Sequence, residues 1–78
     1  MNTFKQLREV MAVTLRVPAE QILESTISDD IPAWDSLGHV NLMMALEQTY
    51  EIFLDVEDFP KMNSVRAITE YLNEHGIG

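Results

Sequence analysis

Three segments of the chain space their apolar residues as one face of a helix, and almost nothing between them alternates with the period of a strand. Phe4, Leu7, Met11 and Leu15 recur in this way after a Thr3–Gln6 capping-box match, and Pro18 closes the segment, which predicts a first helix from about Thr3 to Arg16. Asp35 is a good N-cap, so Ser36 becomes the first residue of a second helix. Asp55 is placed to cap a short turn from Val56 to Phe59, which Pro60 ends early. Ser64 caps the last helix: Val65, Ile68 and Leu72 repeat toward the core, Tyr71 lies beside them, and Gly76 follows as a stop. The expected fold is all-α, a small four-helix bundle of three longer helices and one short one.

The stretch from Val17 to Trp34 breaks this pattern. It has no sustained period, carries Pro18 and Pro32, and holds only isolated apolar residues at Ile22, Leu23, Ile27 and Ile31. A first loop that long is unusual in a small bundle, so these residues are expected to pin it and a short helical turn to form within it. With 78 residues the chain is read as a single domain over 1–78, and with no cysteine it has neither disulfides nor a Cys-based zinc or iron–sulfur site. A hydrophobic fraction of 46% is enough for a packed core.

Charge narrows the partners. Between Val17 and Pro60 there are ten acids (Glu20, Glu24, Asp29, Asp30, Asp35, Glu47, Glu51, Asp55, Glu57 and Asp58) and no Lys or Arg, and the net charge is -8. Nucleic acid is bound by clusters of Lys and Arg, so it is excluded as a partner, and basic proteins are favoured. The N-terminus lacks an apolar signal-peptide core, and no apolar run is long enough to span a bilayer, so a cytoplasmic monomer without a membrane span is expected.

The second helix has two apolar stripes. His39, Leu42, Met43, Leu46 and Tyr50 share one face; Leu37, Val40, Met44, Glu47 and Glu51 share a face roughly opposite. Either the helix is packed on both sides, or the second stripe is an exposed apolar strip with an acidic border suited to docking. Trp34 and His39 occupy the two positions that meet in a hydrophobic staple, where an indole N–H can donate to a neutral imidazole nitrogen. Asp35, Ser36 and His39 do not make a hydrolase triad, because three residues within five positions at a helix start project in different directions and W-D-S-L-G lacks the first glycine of a nucleophile elbow. Glu24, Asp29 and Asp30 lack the glycine and terminal glutamate of a calcium loop.

The run D-S-L-x-x-V-x-L-M-M-A-L-E from Asp35, then D-V-E-D from Asp55, then S-V-x-A-I-x-x-Y-L from Ser64, resembles the acyl carrier protein family over nearly the whole chain. The resemblance implies a 4'-phosphopantetheine arm, taken from coenzyme A, on Ser36, with Trp34, Asp35, Leu37 and His39 beside it. It further implies a phosphopantetheinyl transferase and acyl-loading and acyl-transfer enzymes with basic docking surfaces as partners, in lipid, fatty-acid or polyketide-type biosynthesis, and no catalysis by the chain itself. Met11, Met43, Met44 and Met62 are compatible with the family's habit of sheltering an acyl chain between its helices. Gly38, Asn41, Gln48 and Pro60 depart from the housekeeping pattern and point to a specialised carrier. The alternatives are an aminoacyl or peptidyl carrier, although L-G-G-[HD]-S is absent, and an unmodified acidic helical adaptor.

Overall fold

A computed structural model describes residues 3–76. Its elements are α1 (Thr3–Leu15), 3-10 turns at Ala19–Gln21 and Ser28–Asp30, α2 (Ser36–Tyr50), a 3-10 helix at Val56–Lys61, and α3 (Val65–Glu74). Thr3, which the Thr3–Gln6 capping-box match places at the N-cap, is itself the first residue of α1. The three long helices meet through the residues that periodicity selects: Leu7, Met11 and Leu15 from α1, Leu42, Met43 and Leu46 from α2, and Val65, Ile68 and Leu72 from α3 are all buried. Ile22, Ile31, Trp34, Leu54 and Met62 complete this core from the connecting segments.

Pro18 does not terminate α1. The helix stops one turn of chain earlier, where Arg16 turns left-handed (φ 58) and the Val17 N–H donates to the Ala12 carbonyl at 3.1 Å. α2 ends in the same way, with Glu51 at φ 53 and the Ile52 N–H donating to the Glu47 carbonyl at 3.2 Å. Both are Schellman closures, with half-buried Val17 and Ile52 packed on the core as the usual apolar anchor. A side chain in this conformation costs roughly 1–2 kcal/mol, which the capped carbonyls and anchored apolar residues offset. α3 uses glycine instead, with Gly76 at φ 78.

Of the four apolar residues expected to pin the first loop, only Ile22 and Ile31 are buried; Leu23 and Ile27 are exposed. The backbone replaces them. Ile27 forms an isolated antiparallel bridge with Ser64, in which the Ser28 N–H donates to the Asn63 carbonyl and the Val65 N–H to the Thr26 carbonyl, each at 2.9 Å. Thr26 is buried, and its hydroxyl accepts from the Leu23 N–H at 2.8 Å. The loop is thereby sewn to the entry of α3.

The short helix differs from expectation in length and cap. It continues through Pro60 to Lys61 because it is a 3-10 helix, and the Asp55 side chain makes no capping bond; the Asp55 backbone carbonyl accepts from Asp58 instead. None of its residues is buried. It is moored by the buried Leu54 and Met62 at its flanks. Partial burial, then the negative charges of Asp58 and Asp55, raise the Tyr71 pKa above the ordinary tyrosine value.

Candidate functional site

The start of α2 is built by Asp35, whose backbone is extended and whose Oδ1 accepts from the Gly38 N–H at 2.8 Å. The first helical hydrogen bond follows, His39 N–H to the Asp35 carbonyl at 2.7 Å. Ser36 is therefore the first helical residue, with an exposed side chain. Unpaired N–H groups and the helix dipole make this end favourable for an anion, by about 0.3–1 kcal/mol at an exposed site. Ser64, the N-cap of α3, is committed: its Oγ accepts from the Ala67 N–H at 3.0 Å. Gly38 has a steric role that the sequence pattern does not disclose. A Cβ there would drive into the Ala33 carbonyl oxygen and lie 3.2 Å from Leu15 Cδ2, so the glycine lets α2 start tightly against the end of α1.

Trp34 and His39 meet as the staple spacing expects. The Trp34 Nε1–H donates to His39 Nδ1 at 2.9 Å, with the rings near-parallel at 24°. His39 Nε2 lies 2.6 Å from the Phe59 carbonyl oxygen, and the Phe59 ring stands edge-on to the imidazole. Both bonds are satisfied together only by a neutral imidazole carrying its proton on Nε2, which accepts from the indole and donates to the carbonyl. Trp34 is only 4% exposed, so the chain of contacts joins the start of α2 to the 3-10 helix within the protein. Stranding a buried polar group there costs about 1–3 kcal/mol.

Beside this link is a surface depression of about 320 Å³ lined by Ser28, Trp34, Asp35, Ser36, His39, Pro60 and Asn63. Ser28 and Asn63 had no signal in the sequence, because the Ile27–Ser64 bridge alone brings them to the site. A larger open depression of about 630 Å³ lies between the first loop and α3, around Thr26, Ile27, Ser64 and Arg66, and takes nothing from α2.

The second stripe of α2 faces solvent. Leu37 is 71% exposed, Val40 43% and Met44 48%, so the helix is not packed on both sides. Its two acids differ. Glu51 is exposed, whereas Glu47 is half-buried and its Oε2 accepts from the Leu54 N–H at 2.9 Å, which makes it a brace for the chain leaving α2. Phe53 and Val56 are more exposed than any residue of the strip, and periodicity could not find them because they lie beyond the helix end.

The family model for the phosphopantetheine attachment site matches residues 5–72. The chain is 41% identical over 73 residues to the acyl carrier protein of Clostridium perfringens (strain SM101 / Type A), spanning 92% of this chain and 95% of that one. It is 34% identical over 73 residues to the acyl carrier protein of Buchnera aphidicola subsp. Schizaphis graminum, spanning 92% and 91%. Its fold superposes on the solution structure of a holo acyl carrier protein from Geobacter metallireducens with a TM-score of 0.82, at 27% identity, covering 95% of this chain and 85% of that one.

Proposed function

The chain belongs to the acyl carrier protein family, which carries acyl groups on 4'-phosphopantetheine, and on that premise we propose that Ser36 is where the arm is attached. The observation that carries the proposal is an exposed serine hydroxyl at the first position of a helix whose cap is supplied by its neighbour, Asp35. Ser36 contributes the oxygen of the phosphodiester, the α2 N-terminus steadies the phosphate, and Asp35 holds the turn that presents the hydroxyl. Trp34, Leu37 and His39 border the arm. When bound, the arm supplies a terminal thiol on which an acyl group is held as a thioester.

The chain performs no reaction of its own in this reading. It acts as a cytoplasmic monomer and a substrate for a phosphopantetheinyl transferase and for acyl-loading and acyl-transfer enzymes. Intact mass after incubation with coenzyme A and a transferase tests the proposal: a single phosphopantetheine increment supports it, and an unchanged mass leaves an unmodified adaptor.

Docking runs through Leu37, Val40 and Met44, with Glu47 and Glu51 as the acidic border that steers basic partners toward the strip. Because Glu47 also braces Leu54, its charge is best removed as Glu47→Gln, which keeps an acceptor oxygen. Combined with Glu51→Lys, this change should slow modification roughly tenfold at low ionic strength, the lower end of electrostatic steering. The deficit should shrink as salt screens the surface. A deficit that persists undiminished in high salt would count against steering.

A further inference from the structure

The depression beside Ser36 ends on a wall rather than an entrance. Trp34 and His39 form that wall, Pro60 also lines the depression, and the core residues Leu42, Met43, Leu46 and Met62 are sealed from solvent. His39 is fastened on both sides, to Trp34 by the indole–imidazole bond and to the 3-10 helix by the bond to the Phe59 carbonyl. We propose that Trp34 and His39 determine cargo specificity by keeping the acyl group out of the core, so that this carrier holds a short acyl chain with hydrogen-bonding groups, outside the bundle, in the depression beside Ser36. The inference rests on the reading of Ser36 as the attachment point.

A chain passing from Ser36 into the interior must separate α2 from the 3-10 helix. That movement breaks the half-buried His39–Phe59 bond and displaces the indole of the buried Trp34, so that its N–H loses its acceptor where little water reaches it. A short acyl chain has too few methylenes to offset this by burial, because the gain grows with each one removed from water. The depression offers an alternative. At about 320 Å³ it sits at the small end of ligand sites, and polar lining residues such as Ser28 and Asn63 suit hydroxyl or amide substituents and not a long alkyl tail.

The test begins with acetyl-coenzyme A and octanoyl-coenzyme A as arm donors, so that a transferase installs the loaded arm and intact mass confirms each product. Failure to gain mass from either donor would overturn the attachment reading itself, and this inference with it, before any cargo is compared. With both products in hand, hydroxylamine release of the thioester and the methyl NMR signals of Leu42, Leu46 and Ile68 are measured. In the wild type the acetyl and octanoyl thioesters should be released at matching rates, with core methyl signals coinciding with those of the protein bearing the arm alone. In His39→Ala, which loses both fastenings, the octanoyl thioester should become slower to release than the acetyl one and the core methyl signals should move. Trp34→Phe keeps the ring and the Phe59 bond and removes only the indole donor; it should show a smaller movement of the same kind. A wild-type octanoyl thioester already protected, with shifted core methyls, would overturn the inference while leaving Ser36 in place. So would variants in which octanoyl stays as labile as acetyl.

Discussion

Ser36→Ala takes up no mass from coenzyme A in the presence of a phosphopantetheinyl transferase, while its helical content and melting temperature remain those of the wild type. Loss of modification is complete because no other serine combines exposure with a helix start: Ser64 has its Oγ on the Ala67 N–H, and Ser28 is half-buried within a 3-10 turn. Folding is spared because Asp35, not Ser36, caps α2, and the Ser36 side chain is exposed. Alanine is also the better helix former, so the stability change stays within about 0.5 kcal/mol. Full modification of the variant would move the attachment point elsewhere; an unfolded variant would show that the hydroxyl has a structural role that the geometry does not assign it.

Gly38→Ala lowers stability, against the ordinary expectation for a glycine inside a helix. Intrinsic propensity favours alanine by about 0.8–1 kcal/mol. The added Cβ, however, meets a backbone oxygen at Ala33, which cannot rotate aside as a side chain would, and overpacking of this kind costs about 1–3 kcal/mol. The steric cost is therefore expected to exceed the propensity gain, and each net kcal/mol lowers the melting temperature by roughly 4–8 °C in a chain of this size. The relief of the clash must also shift the Asp35–Gly38 turn that presents Ser36, so modification slows together with the loss of stability. A variant that melts at or above the wild-type temperature would show that the approach of α2 to Ala33 is looser than described.

Sequence patterning reached the parts of this protein that side chains encode locally. The three long helices follow from apolar spacing, the α2 start from the capping rule at Asp35, and the Trp34–His39 bond from the staple positions that put those rings on one side of the turn. What it could not reach depends on backbone atoms or on distant pairing. The second partner of His39 is the Phe59 carbonyl, an acceptor that every residue carries and none advertises. The Ile27–Ser64 bridge joins positions far apart in the chain and is too short to show alternation, so the loop seemed to need four apolar pins where two suffice. Arg16 and Glu51 lack the glycine that marks a left-handed helix end, and the anchors that hold them there, Val17 and Ile52, are ordinary apolar residues until the core is in place. Glu47 counted as a rim acid by helical position, and only the path of Leu54 beyond the helix turns it into a brace.

The contrast between Met44 and the buried Met11, Met43 and Met62 has a redox consequence. Among these four a mild oxidant reaches Met44 first, and its sulfoxide places a strong dipole in the middle of the Leu37–Val40–Met44 strip while the core thioethers remain reduced. Peptide mass mapping after brief peroxide treatment should locate the first added oxygen among these four methionines at Met44; oxidation of Met43 or Met62 ahead of it would contradict the burial pattern. The oxidised protein would keep its fold and its Ser36 hydroxyl but present a wetter face to its partners, and methionine sulfoxide reductases could restore it. Carrier traffic through this protein would then respond to oxidative stress at the sulfur atom of Met44, without any change in the arm or its cargo.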